Sequence, residues 1–437
     1  MANDSKGLIG TIARDPAALR FNRGIEREAL RVEPDGNLSQ TPHPDFLGSK
    51  LAHPSITTDF SEAQLELITP VSDSIDETLD TLLEVHRFVA SGLEDEILWA
   101  RRCHACYRRT RESRWLDTAT PTSRSSKPRI ATDSVIATVG QCKPSARSTT
   151  ISPCPNHSGE PWRKPRVEPL STEYRSRRYF DLMRNFRRFA WLPVYLFGAS
   201  PAVCNSFVQG RTHELDAFDE GSLYAPGATS LRSGNLGYQS DTQGGLLGIC
   251  YNGLDYYVTA LATAICTPFP EYEQIGLVRD GEHLQVNTSI LQSEAEFYTN
   301  IRAKCVPEPG TNFLSALRHQ GVEYVEVRLL DVNPYLPLGI DAEQIRFLDM
   351  LLTHALLSDS PEHDELLCRT VNDNMQAVVW RGRDPSLALD DNGTARSVPE
   401  WGHEILRALE PIAEALDAAE GTSEHAAEPH RATVPPR

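Results

Sequence analysis

Three stretches of the chain alternate charged and apolar residues with the period of two expected of a strand. In GIEREALRV, Glu26 and Glu28 fall on one face. In EAQLELITP, Gln64 and Glu66 share a face while Leu65 and Leu67 take the other. In VEYVEVRLLDV, Val325, Val327 and Leu329 form an apolar face, and Tyr324, Glu326 and Arg328 point the opposite way. HLQVNTSIL, carrying Gln285 and Asn287, is a further expected strand. Helical spacing takes over at SIDETLDTLLEVHRFVASGL, where Leu79, Leu82, Leu83, Val85, Phe88 and Val89 recur behind Ser74 as cap. RSRRYFDLMRNFRRFAWLPVYLFGASP predicts a one-sided helix running into a buried apolar stretch, and 245–265 and 341–357 are further helices. From Ala418 the chain is small and polar with three prolines near its end, and disorder is expected over 418–437.

Charge narrows the classes. The formal net charge of -17 weighs against a nucleic-acid scaffold and favours a cytoplasmic enzyme of small molecules. No apolar run approaches the roughly 20 residues that span a bilayer, and MANDSKGLIG lacks the basic start and apolar core of a secretory signal. Nine irregularly spaced cysteines do not suggest a secreted disulfide framework.

The alternating strands carry the candidate chemistry. Side chains two apart on a strand lie about 6.5–7 Å from each other on one face. A single strand of this kind is ordinarily the exposed face of an antiparallel sheet. Glutamate is disfavoured in strands, however, and here three strands share the pattern. Clustered carboxylates repel unless cations neutralise them, and hard oxygen ligands suit Mg²⁺ carrying nucleotide phosphates. No Walker loop or paired-glycine dinucleotide fingerprint is present.

Six segments in order, GIEREALRV, SITTDFSEAQLELITP, YLFGASPAVC, ATSLRSGNLGYQS, LQVNTSILQSEAEFY and GVEYVEVRLLDVNPY, resemble the signature segments of bacterial glutamate–cysteine ligases. The resemblance implies an α/β (α+β) fold, a glutamine-synthetase-like curved, mostly antiparallel sheet forming a funnel backed by helices. It implies one catalytic domain over 1–417 and ATP-dependent joining of glutamate to cysteine through γ-glutamyl phosphate. By the same resemblance Glu26, Glu28, Glu66 and Glu326, with Asp59 beside them, ligand Mg²⁺ or Mn²⁺. Arg328 and Arg232 face phosphate or substrate carboxylate as fork-shaped permanent cations. Tyr238 and Tyr298 line the substrate pocket, with Gln285 and Asn287 as further binding residues. The partners so implied are glutamate, cysteine and ATP, with no nucleic acid or membrane, and the chain is expected to be a monomer. A carboxylate–amine ligase with another amine is the alternative within the same chemistry.

The middle of the chain departs from this pattern. From Arg101 to Lys164 there are 13 Lys and Arg against four acids, four of the nine cysteines and no sustained period. Two family signatures are missing there, an RYG segment and an HYNFS strand whose His is associated with metal and nucleotide. STTISPCPNHSGEPW stands in place of the second. Back-translated one nucleotide earlier, TTISPCP can become HYNFSLP, and the same shift recovers RYG from both WLDTATPTS and VIATVGQC. Compensating frameshifts near Ala100 and between Trp162 and Tyr174 are therefore expected, with 101–168 aberrant. A catalytically impaired remnant is the corresponding alternative. Cys103-His104-Ala105-Cys106 lacks a second pair at zinc-knuckle spacing, and the basic stretch lacks the regular aromatics of a nucleic-acid arm. The family usually continues with more helices beyond the region matching Asn372–Leu416, so a shortened C-terminus is expected.

Overall fold

A computed structural model describes residues 21–59, 61–99, 171–208, 213–236, 249–279 and 282–426. The expectations for 101–168, for Tyr238 and for the tail beyond Ala426 lie outside them. Among the described residues no helix is long and apolar enough to cross a membrane.

The described residues open with β1 (Glu26–Val32), β2 (Ile56–Thr58), β3 (Gln64–Ile68), helix α1 (Ile75–Gly92) and β4 (Ile97–Leu98). These strands form one antiparallel sheet in the order β2-β3-β1-β4. Ser74 caps α1 by accepting from the Glu77 amide, as its position in the sequence implies. After the undescribed stretch come α2 (Thr172–Phe189) and α3 (Trp191–Phe197), then β5 (Ala202–Cys204), β6 (Asp216–Ala217) and β7 (Ser222–Tyr224). Next are α4 (Leu254–Cys266), α5 (Pro270–Ile275) and the short pair β8 (Val278–Arg279) and β9 (Glu282–His283). The remaining elements are β10 (Ile301–Lys304), α6 (Phe313–Gln320), β11 (Tyr324–Val327), α7 (Ala342–Leu357), α8 (Glu365–Arg381), β12 (Ala388–Asp391), β13 (Thr394–Ser397) and α9 (Val398–Glu420).

Helices and antiparallel strands thus mix as the α/β expectation requires, with the described strands in five sheets. One large core joins them: Leu65 and Leu67 of β3 meet Leu82 of α1, Phe186 of α2, Leu348 and Leu351 of α7 and Leu409 of α9. Polar side chains fix the helices against the strands. Asn185 of α2 donates to the carbonyls of Ala355 (2.8 Å) and Ser358 (3.0 Å) at the end of α7. Arg175 donates to Val322 (3.0 Å) and Gln320 (2.8 Å) in the turn that enters β11. Gly321 in that turn has φ +74° and lies against Thr172 and Ser176, so a side chain there meets both strain and collision.

Several expectations need correction. HLQVNTSIL is not a strand: β9 ends at His283, and beyond it a single bridge pairs Ser289 with Pro268. Of the helix expected over 245–265, residues 249–253 are irregular and Leu254–Cys266 is helical, while 245–248 lie outside the described residues. Residues 418–426 are ordered. Helix α9 runs to Glu420, and Asp417 then accepts from Thr422 Oγ1 (2.9 Å), the His425 amide (2.8 Å) and the Ala426 amide (2.8 Å), folding the chain back with His425 buried. Composition missed this because one carboxylate, not an apolar pattern, organises the turn. Among the described residues Cys250 and Cys368 form a disulfide that joins the approach to α4 with α8.

Candidate functional site

In the antiparallel β1–β3 register, Glu28 stands directly opposite Glu66, and Glu26 lies two residues along on the same face, opposite Ile68. The period of two that separates Glu26 from Glu28 therefore brings both beside a third carboxylate. Asp59 follows β2, and its amide donates to the Gln64 carbonyl at 3.1 Å. Gln64 Nε2 donates to Glu28 Oε2 and lies 3.5 Å from Asp59 Oδ2.

The fifth carboxylate arrives from far along the chain. β11 pairs with β10 so that Glu326 faces Arg302, and Tyr324 faces Lys304. All four residues of β11 are buried, so neither face is the exposed polar one of a simple antiparallel sheet. Glu326 is 2% exposed, with Lys304 Nζ at 3.3 Å and Arg328 Nη1 at 3.4 Å from its two oxygens.

Electrostatics ties these elements together. Burial raises the Glu66 carboxyl well above the usual carboxylate range, and Glu26, Glu28, Asp59 and Glu326 each push it further the same way. Burial acts on Glu326 in the same direction, but Arg328, Lys304 and Arg302 outweigh it and hold its pKa at about 2. The Tyr324 hydroxyl is raised by burial and by Glu26 and Glu326, so it lies near both strands' acids. The Arg302 guanidinium is lowered by burial and by Arg328, against the pull of Glu326 and Tyr298. One end of the site is thus acidic and under repulsion, and the other is cationic.

The acidic end can take a divalent cation. Among the described residues no three His, Cys, Asp or Glu groups stand close enough to hold a metal ion by themselves. Mg²⁺ does not need such a cage, because it keeps several waters and binds through one or two carboxylates plus phosphate oxygens. The donor set is all hard oxygen, and Gln64 Oε1, buried beside Glu28 and Asp59, accepts no hydrogen bond among the described residues. The residues present fit the ion.

Not every expected residue joins the cluster. Arg232 is buried in a one-turn segment, Leu231–Ser233, and its Nη1 lies 3.6 Å from Asp331 Oδ1. Tyr298 acts on Arg302 and is half-buried. Gln285 does not face the site. Its Nε2 donates to the carbonyls of Tyr272 (2.6 Å) and Gly276 (2.9 Å), closing the end of α5. Asn287 is likewise engaged locally, donating to the Gln292 carbonyl (2.9 Å) and accepting from the Ser289 amide (2.9 Å). Both side chains satisfy backbone groups of an irregular segment. Arg302, Lys304 and Asp331 were not anticipated, since their roles depend on strand pairing that no local pattern encodes.

Comparison with known proteins gives the same direction. The profile of the family described as Glutamate-cysteine ligase matches residues 10–113 and 160–378, which leaves 114–159 unmatched. The chain is 43% identical to the glutamate–cysteine ligase of Pseudomonas paraeruginosa over 96% of its own length and 80% of the relative's. It is 42% identical to that of Saccharophagus degradans, covering 94% of this chain and 78% of the relative. Among solved structures, the Francisella tularensis glutamate–cysteine ligase in complex with AMP superposes with TM-score 0.71 at 30% identity, over 93% of this chain and 82% of that one. A bifunctional glutathione synthetase from Pasteurella multocida superposes with TM-score 0.66 at 21% identity, over 97% of this chain and 50% of that one, a likeness of fold alone.

Proposed function

Because the chain belongs to the glutamate–cysteine ligase family, we propose that it joins the side-chain carboxylate of glutamate to the amine of cysteine at the expense of ATP, the first step of glutathione synthesis. The observation that carries this reading is the repulsion at Glu66, where four other carboxylates from β1, the end of β2 and β11 act on one acidic side chain. Carboxylates gathered this way are stabilised by divalent cations, and Glu26, Glu28, Glu66 and Glu326, with Asp59, are the acids that would hold Mg²⁺, one or two of them to an ion beside the phosphate oxygens. When bound, Mg²⁺ neutralises phosphate charge and orients the γ-phosphoryl group.

The protein side chains do the rest. Arg328 and Lys304 line the opposite end of the site and stabilise negative charge on the transferring phosphoryl oxygens, while Arg302, held by the carbonyls of Ala295 and Phe297, adds its charge behind Glu326. The γ-carboxylate oxygen of glutamate attacks the γ-phosphorus of ATP and ADP leaves. The cysteine amine then attacks the acyl carbon of the γ-glutamyl phosphate, loses a proton and expels phosphate. Arg232, and with it Tyr298 and Tyr238, orient the substrates by their charged and polar groups.

The test is ADP release with glutamate, cysteine and ATP, omitting each in turn. Full activity requires all three, and Glu26→Ala lowers the rate by about a hundredfold or more, as loss of a charge-stabilising group does. Unchanged turnover in Glu26→Ala removes the metal role, and turnover without cysteine but with another amine assigns a different carboxylate–amine ligase. One observation favours the second reading, a catalytically impaired remnant: the family match is interrupted over 114–159, within the stretch of aberrant composition. Sequencing the gene across codons 95–180 distinguishes a real loss from a reading-frame error.

A further inference from the structure

Asp331 sits at the centre of a buried network that the chemistry above leaves without a role. Its Oδ2 accepts from the Ala199 amide (2.8 Å) and from Ser200 Oγ (2.6 Å), and its Oδ1 accepts from Ser230 Oγ (3.0 Å). The Arg232 guanidinium lies 3.6 Å from Oδ1, with Arg232 8% and Asp331 5% exposed. Backbone bonds close the same unit, with the Leu231 amide donating to the Ser200 carbonyl (2.8 Å) and the Ser200 amide to the Thr229 carbonyl (3.2 Å). Ser230 Oγ also accepts from the Ser233 amide at 3.3 Å and so caps the single turn that carries Arg232.

Three hydrogen bonds fix the Asp331 carboxylate from two separate segments, so its charge cannot follow a moving partner. The distance to Arg232 is longer than a hydrogen bond, so the carboxylate acts on the guanidinium by charge. Asp331 also lies only three residues beyond Arg328 and five beyond Glu326, on a run that is buried throughout from 328 to 332. The same short segment therefore carries a member of the acidic cluster, its counter-cation and the anchor of Arg232.

We propose that Asp331 is a positioning residue that aims Arg232 at an anionic oxygen of a substrate, either the carboxylate of the amino acid or a phosphate of the nucleotide. The proposal rests on the reading of Arg232 as a substrate-binding cation. It joins the turn 229–233, the loop 198–200 and the segment 326–332 into one unit whose function is to orient that cation.

Calorimetric titration of the full chain with L-glutamate, and separately with AMP, tests it without requiring turnover. Arg232→Lys and Asp331→Asn are expected to weaken the same one of the two titrants, each by about tenfold, the scale of one charge-assisted contact. The titrant affected identifies the anion. In the double variant the losses do not multiply, since Asp331 acts through Arg232. Asp331→Glu, which keeps the charge, restores part of the binding. Multiplying losses, equal weakening of both titrants, or Asp331→Asn binding both like the wild type each overturns the proposal. Arg232→Lys binding both titrants normally overturns the reading of Arg232 itself, and a wild-type chain that binds neither overturns the functional assignment. If Asp331→Asn fails to fold by thermal unfolding, Ser200→Ala takes its place, because it removes one donor and keeps the charge. A weaker loss in the same titrant then supports the role, and none refutes it.

Discussion

The Glu66 carboxyl is held by burial and by four neighbouring acids in a place where its charge is unwelcome. Replacing it with the isosteric amide removes that repulsion. Glu66→Gln is therefore expected to stabilise the metal-free protein by about 1 kcal/mol in urea, as relief of strain at functional sites commonly does, and to lose most of the further stabilisation that Mg²⁺ gives the wild type. A variant equally stable with and without its carboxylate, or still fully responsive to Mg²⁺, contradicts the cluster. In the sequence a period of two places Glu26, Glu28, Glu66 and Glu326 on strand faces, but it was the resemblance to the family that gathered them into one site. Not all their cations were legible there. Arg302 and Lys304 meet Glu326 only because 301–304 pairs with 324–327, a register set by the packed core. Gln285 and Asn287 misled for the opposite reason, since their amides serve nearby backbone carbonyls where a strand pattern suggested an aimed side chain.

At the scale of elements, helices with a side-chain cap carried their own starts, while the uncapped α4 and the irregular connections did not. Ser74, Asp341 and Asp364 each accept from an amide of the first turn of their helices, signals readable locally. The approach of the chain to β1, by contrast, depends on a contact across 326 residues: Arg23 Nε donates to Asp349 Oδ2 of α7 at 2.7 Å, and Arg23 Nη1 donates to the Asp73 carbonyl at 2.9 Å. Both Arg23 and Asp349 are essentially inaccessible to water. Burial raises the Asp349 carboxyl and Arg23 opposes it, the mark of a pair that must be kept whole. Removing one partner leaves the other charge buried alone. Asp349→Ala is expected to cost about 3–5 kcal/mol in urea unfolding. A loss below about 1 kcal/mol shows that water or a neighbour replaces the carboxylate and that the pair does not fasten β1 to α7.

Across the whole molecule, buried imidazoles set the response to acid. His86 in α1, His354 in α7 and His363 before α8 each have a pKa lowered to about 4, chiefly by burial and then by the nearby guanidiniums of Arg27, of Arg188, and of Arg187, Arg184 and Arg188 respectively. The folded pKa lies below the unfolded value of 6.5 in each case. Between those values the unfolded chain binds protons that the folded chain refuses, so stability is complete above pH 6.5 and is lost as pH falls toward 4. Each imidazole contributes on the order of 1–2 kcal/mol to that loss between pH 7 and 5. Glu66 acts in the opposite sense, because its raised pKa lets the folded state take up a proton and shed repulsion in the metal-free protein. The raised Asp349 carboxyl acts with Glu66 and the lowered His43 with the other imidazoles; the three strongly lowered imidazoles lie on α1, on α7 and before α8, so the effect belongs to the fold and not to the site. The urea midpoint should therefore fall steadily from pH 7 to pH 5, and His354→Gln, which removes one titrating group beside Phe189, should flatten the slope by about a third if the three contribute equally. A midpoint that holds constant across this range, or a slope that His354→Gln leaves untouched, means these imidazoles reach water in the folded protein and the burial argument for them is wrong.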